Sequence, residues 1–250
     1  MKTTILLLFS FCTLFSKAQD EQQLLAQASQ QEAALNENAA FETLKQVLRI
    51  NPHNYNALWK ISELCSRIGN RQSTKEKKQA FFNAGKSYAE AAIKVNPNAA
   101  DGYYALAVAM GRYALAQSGR DKINTVKEIR ANAEKAIKLN PNHGRAWHVL
   151  GKWHYEVSNL SMLEKAGVRI MYGGLPEASL KESIKAYEKA KALEPNFALN
   201  YLELAKAYNR NDEISKAIEC LRKLPTLPNK TLDDNRIKAE GATLLKELSN

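Results

Sequence analysis

Asn140-Pro141-Asn142-His143-Gly144-Arg145-Ala146-Trp147-His148-Val149-Leu150-Gly151 holds the grammar of this chain. An Asn-Pro pair closes an Ala/Lys-rich segment, an aromatic or Leu stands six residues after the Pro, a Leu or Ile three further on, then a small residue. The same order follows Asn51-Pro52 (Leu58, Ile61, Ser62) and Asn96-Pro97 (Tyr103, Leu106, Ala107). Glu194-Pro195 is a variant, followed by Tyr201, Leu204 and Ala205. Spacings of three and four place large residues on one helix face. Proline ends the preceding helix, because it lacks the amide hydrogen and disfavours helical geometry in the residue before it. Recurrence at this length is the mark of stacked helix pairs. The fold class expected is all-α, a right-handed tetratricopeptide-like solenoid of about five helix pairs with a C-terminal capping helix.

Successive prolines lie 45, 44 and 54 residues apart, against about 34 in a plain tetratricopeptide repeat. Repeats are placed at about 21–52, 55–97, 99–141, 143–195 and 197–228, with a cap at 232–248 in a domain covering 20–250. Small residues five before each Pro (Ala92, Ala136, Ala190) let the back helix approach the front one. Trp147, Leu150, Gly151, Tyr187 and Ala190 are expected to share one buried cluster. Extra residues fall at 69–78, 118–127 and 159–177. The first two are polar and basic, fitting longer loops or helix extensions. The third carries Leu160, Met162, Leu163, Val168, Ile170, Met171 and Tyr172. It is expected to form a short helix and a turn that pack back near Trp153 and Tyr155, because apolar surface is costly in water.

Residues 1–18 read as a signal peptide: Lys2, an apolar run over 5–15, then Ser16 and Ala18 at the −3 and −1 positions of a cleavage site. The run is too short to span a bilayer, and an exported protein, periplasmic or secreted, is expected. The chain carries 36 Lys and Arg against 26 Asp and Glu, a formal +10 that falls to +8 without Lys2 and Lys17. Such a balance favours anionic partners; in an exported protein these are acidic proteins or anionic lipid, and nucleic acid is not expected. Cys65 and Cys220 lie in different repeats and read as small core residues rather than a disulfide.

No sequence signature asks for a cofactor or a metal, and the protein is not expected to be an enzyme. His148 and His154 stand six apart without a Cys, Asp or Glu at ligand spacing. Glu156 lacks a paired carboxylate or nucleophile and reads as a helix-capping residue or an ion-pair partner. Gly173-Gly174 has no Lys-Ser/Thr after it and is a turn, not a phosphate cradle. The natural binding surface of a solenoid is its concave face. Front-helix positions one past each anchor, and four beyond, give Trp59 and Glu63, Tyr104 and Val108, His148 and Lys152, Leu202 and Lys206. The groove expected for a protein or peptide partner comprises Trp59, Tyr104, Val108, His148, Lys152, Tyr155 and Lys206. The alternative is an acyl-chain cavity closed by 159–172, lined by Tyr104, His148, Lys152 and Tyr155, with Lys152 at the polar end.

Trp147 to Leu160, followed by Gly174-Leu175-Pro176-Glu177-Ala178, resembles a signature stretch of the regulator of microtubule dynamics family. Asn96-Pro97 through Gly111-Arg112, and Lys127-Glu128-Ile129, are similar to the repeat before it. The resemblance covers roughly 80–225 and includes the unusual insertion. It implies a tetratricopeptide-like solenoid without known catalytic residues. Eukaryotic relatives are cytosolic or membrane-anchored and associated with microtubules or lipid-rich contact sites. The leader departs from that pattern and implies a bacterial envelope member.

Overall fold

A computed structural model describes residues 19–249; the expected leader, 1–18, lies outside them. Twelve helices follow in chain order: α1 (19–33), α2 (Glu37–Ile50), α3 (Tyr55–Asn70), α4 (Lys75–Val95), α5 (Ala100–Tyr113), α6 (Gly119–Leu139), α7 (Gly144–Ser158), α8 (Met162–Tyr172), α9 (Leu180–Leu193), α10 (Ala198–Arg210), α11 (Ile214–Lys223) and α12 (Asp234–Leu248). No strand forms among the described residues. Helices α3 and α4, α5 and α6, α7 and α9, and α10 and α11 pair, and each pair stacks on the next. The chain is the expected helical solenoid.

The Asn of each Asn-Pro pair has a job of its own. Asn51, Asn96 and Asn140 cap their helices in extended backbone, φ −134°, −139° and −139°. Each side-chain Oδ1 then accepts from the amide two residues on: His53 at 3.0 Å, Asn98 at 3.1 Å and Asn142 at 3.0 Å. This Asx turn reverses the chain within three residues, and the Pro between holds the Asn out of helical geometry. The next helix often starts on a side-chain cap, as where Asn54 Oδ1 accepts from the Ala57 amide at 2.7 Å.

The aromatic six past the Pro clasps that turn. Tyr103 Oη donates to the Pro97 carbonyl at 3.2 Å, and Trp147 Nε1 to the Pro141 carbonyl at 2.9 Å. Trp147 is therefore half-exposed and Leu150 half-buried, which corrects the cluster expected in the fourth repeat. Its buried members are Gly151, Tyr187 and Ala190. A polar-tipped aromatic that can reach a carbonyl stays at the rim, where its ring covers the turn. Tyr187 fills the space over Gly151, where a Cβ would stand 2.8 Å from its Cδ1.

The core runs along the array as a chain of helix interfaces. Leu44, Val47, Ile61 and Leu64 hold the first repeats; Ala89, Ala105 and Met110 the next; Tyr187, Tyr201, Leu204, Leu221 and Leu224 the last. Ala92, Ala136 and Ala190 are fully buried at the helix crossings. Cys65 and Cys220 are free thiols buried in different parts of the core.

The first two insertions lengthen back helices, α4 and α6 being 21 residues each. The third forms α8. Ser161 and Glu164 make a capping box at its start. Gly173, at φ 75°, ends it with amide bonds from Gly173 to Arg169 O and from Gly174 to Val168 O, 3.1 Å each. This left-handed stop suits a residue without a Cβ.

Candidate functional site

The front helices α3, α5, α7 and α10 carry the inner face, and ion pairs run along it. Glu63 of α3 accepts from Tyr104 Oη of α5 at 3.2 Å and pairs with Arg145 of α7. Arg145 Nε reaches Glu194 at 3.2 Å, and its guanidinium lies 5.1 Å from the Phe197 ring centroid. One turn along α3, Arg67 meets Glu32 at 2.7 Å and Glu37 at 3.6 Å. Arg71 pairs with Glu37 and, at 3.0 Å, with Asp233 at the start of α12. The turn before the C-terminal cap thus reaches the first repeats through Leu232 and Asp233.

Burial and pairing set the charges there. Burial pushes the Glu63 carboxyl up, but Arg145, Arg67 and the Tyr104 hydroxyl together hold it below its ordinary value. Glu203 is likewise opposed by burial and held down by Lys152 and Lys206. Burial drives the His148 imidazole down to about 4 against a partial lift from Asn200, so it is neutral at neutral pH. Its Nδ1 lies 3.0 Å from Asn200 Oδ1, which fixes Nδ1 as the protonated nitrogen, and its ring packs between Tyr187 and Phe197.

The expected groove residues divide accordingly. Tyr104, His148 and Leu202 are buried and hold the array together. Their expected exposure is corrected because the solenoid coils tightly enough for each front helix to cover its neighbour's inward positions. Trp59 and Val108 are half-buried against the cores around Ala89 and Ala100. Lys152, Tyr155 and Lys206 are half-exposed and adjoin one another. Lys152 and Lys206 share Glu203, at 2.7 Å and 3.3 Å, and Lys206 also meets Glu240 at 2.6 Å. Lys152 lies 5.5 Å from the Tyr155 ring centroid and Arg210 lies 5.1 Å from it. Glu156 is the ion-pair partner of Lys152, at 2.8 Å. Sequence reasoning missed Arg145, Glu194, Glu203, Arg210 and Asp233. The only sequence signal for them is a charge, on a front helix for Arg145, Glu203 and Arg210 and at a helix end for Glu194 and Asp233, which does not say which distant charge it meets.

The insertion does not narrow this face. A cleft of about 910 Å³ lies beneath α8, between α6, α7 and α9, lined by Arg130, Leu150, His154, Val157, Val168 and Leu175 among others. None of Tyr104, His148, Lys152 or Tyr155 lines it, so the acyl cavity expected from those residues is not formed. The α8 side chains explain the difference: Val168 turns inward, whereas Met162, Leu163, Ile170 and Met171 face outward into solvent. No group of three or more His, Cys, Asp or Glu able to hold a metal occurs among the described residues. Burial pushes the Cys65 and Cys220 thiols up to about 12 and about 11, and Ser183 Oγ donates to the Gly151 carbonyl at 2.8 Å.

Comparison with known proteins places this geometry. A model of the regulator of microtubule dynamics proteins 1–3 matches residues 22–249. Regulator of microtubule dynamics protein 3 of Xenopus laevis is 29% identical over 192 residues, 76% of this chain and 41% of the relative. The Rattus norvegicus protein 3 is 27% identical over 228 residues, 90% and 48% of the two chains. This chain thus spans less than half the length of either relative. Protein 1 of Bos taurus is 26% identical, covering 86% of this chain and 69% of the relative. Among solved structures, a TPR protein of Thermus thermophilus aligns with TM-score 0.65 at 17% identity over 89% of this chain and 99% of its own. The PilF protein of Pseudomonas aeruginosa aligns with TM-score 0.54 at 13% identity over 93% of both. These two likenesses speak for the fold alone. With a family model matched over nearly every described residue, the chain belongs to the regulator of microtubule dynamics family.

Proposed function

We propose that the protein is a non-enzymatic scaffold that binds a protein or peptide partner on its inner face, at the patch formed by Lys152, Tyr155, Lys206 and Arg210. The observation that carries this reading is Tyr155: half-exposed on a solenoid's inner face, with Lys152 5.5 Å and Arg210 5.1 Å from its ring centroid. Aromatic and Arg side chains dominate binding energy at protein interfaces, and Arg210, which forms no salt bridge among the described residues, suits an acidic partner. The family resemblance supplies no catalytic residue.

The names of the relatives offer a microtubule-linked partner as one possibility for this chain. Lys2, the apolar run at 5–15 and the small residues Ser16 and Ala18 support an exported location instead. Intact mass from the native host tests that part: a chain starting near Gln19 agrees, and retained Met1 refutes it.

The binding claim is tested by affinity capture with wild type, Tyr155→Leu and the distant charge control Lys94→Glu. Tyr155→Leu keeps apolar packing and removes the ring's attraction for cations. A partner retained by wild type and control and lost by Tyr155→Leu supports the patch. Identical capture by all three refutes it.

A further inference from the structure

Helix α8 presents an uncovered apolar ridge. Met162 is 89% exposed, Leu163 83%, Ile170 84% and Met171 61%, and the helical period places Met162, Leu163, Ala166 and Ile170 on one side. The helix rests lightly on the body, with α6 as its main helical neighbour. Its C-terminal end is tied there by Lys127 Nζ, which donates to the Tyr172 carbonyl at 3.3 Å. Tyr172 Oη lies 3.6 Å from where a Gly119 Cβ would stand. That contact places the first turn of α6, with Arg120 and Lys122, beside the C-terminal end of α8, and Leu115, 71% exposed, lies immediately before that turn. Arg120 and Lys122 are exposed and form no salt bridge among the described residues, whereas the inner-face cations Lys152, Lys206, Arg71 and Arg145 are all paired.

We propose that this ridge is a peripheral membrane-docking surface for an anionic lipid bilayer. Met, Leu and Ile side chains enter the headgroup boundary, while Arg120 and Lys122 meet lipid phosphates and carboxylates. An interfacial helix combines these parts: an apolar face for the acyl boundary and cations for the surface charge. The ridge has no aromatic among its exposed large hydrophobic residues. A protein hot spot favours aromatic and Arg anchors seated in pockets, whereas a bilayer needs no matching shape. Self-association through the ridge would bring together two copies of a chain of formal charge +10, or +8 without Lys2 and Lys17. This inference is separate from the inner-face patch and either can fail alone.

The test is flotation of the full chain with vesicles of phosphatidylcholine alone and of phosphatidylcholine mixed with phosphatidylserine. Wild type and Lys94→Glu are expected to float with the anionic vesicles and not with the neutral ones. Arg120→Gln with Lys122→Gln should weaken partition about thirtyfold, from roughly one lysine's worth of surface attraction at each site. Leu163→Glu with Ile170→Glu should abolish it. Both positions are exposed, so unchanged helical melting by circular dichroism verifies the fold. Absence of wild-type flotation overturns the proposal, as does flotation unaffected by Leu163→Glu with Ile170→Glu. Concentration-dependent dimerisation that the same double variant removes, without vesicle binding, assigns the ridge to a second copy and also overturns it.

Discussion

Glu63→Gln isolates what the buried charges on the inner face contribute. The Glu63 side chain is 12% exposed and faces Arg145 at 26%. Breaking a buried pair by removing one partner costs about 3–5 kcal/mol, largely from the charge left behind. Here Arg145 keeps Glu194 at 3.2 Å and some solvent contact, and the Gln oxygen still accepts from Tyr104. The loss is therefore expected just below that range, about 2–3 kcal/mol, read as a lower urea midpoint by circular dichroism at neutral pH. Glu63→Leu with Arg145→Met should recover at least half of it, since neither charge is then buried alone. The acid limb supplies a second readout. Because the Glu63 carboxyl is held below its ordinary 4.5, its stabilisation is present above that value and lost as pH falls through the lower, folded one. Glu63→Gln should flatten that loss. A Glu63→Gln protein within about 0.5 kcal/mol of wild type, with the same acid limb, would refute the reasoning.

Other outcomes follow from single contacts. Gly151→Leu forces side-chain atoms into the Tyr187 ring, 2.8 Å from the new Cβ, and should cost about 1–3 kcal/mol in thermal or urea melts. His148 has a folded value of about 4 against 6.5. The unfolded chain therefore binds a proton that the fold excludes, and stability should fall by about 2–3 kcal/mol as pH drops through that window. His148→Gln should flatten this slope in urea titrations at stepped pH. Asn140→Ala removes the Asx turn to the Asn142 amide at 3.0 Å. It should cost about 1 kcal/mol in the same melts, with hydrogen exchange rising at the α6–α7 turn.

The solenoid was legible because its signals are local and repeated. Each Asn-Pro pair caps a helix by its own backbone preferences, and Gly151 and Ala190 declare a close crossing without reference to the rest of the chain. The aromatic register was legible as a position but not as a role, since Trp147 and Tyr103 bond back to the Pro carbonyls rather than enter the core. The inner face was only partly legible. Periodicity says which side of a helix is inward, but not how tightly the array coils, and tight coiling buries Tyr104 and His148 while leaving Lys152, Tyr155 and Lys206 within reach of solvent. The Arg71–Asp233 pair joins residues 162 apart, beyond any repeat-based reading. The insertion's helix and turn were legible from composition; its orientation was not, because amphipathicity fixes two faces without saying which one meets the body.

The most direct test of the inner-face account is site-specific photo-cross-linking in the native host, with a photoreactive phenylalanine at position 155 and, in a second chain, at the distant position 94. The account predicts cross-links to one or a few proteins at position 155, absent at position 94 and lost when Arg210→Glu is added. Protein cross-links at position 94 with none at position 155 would contradict it.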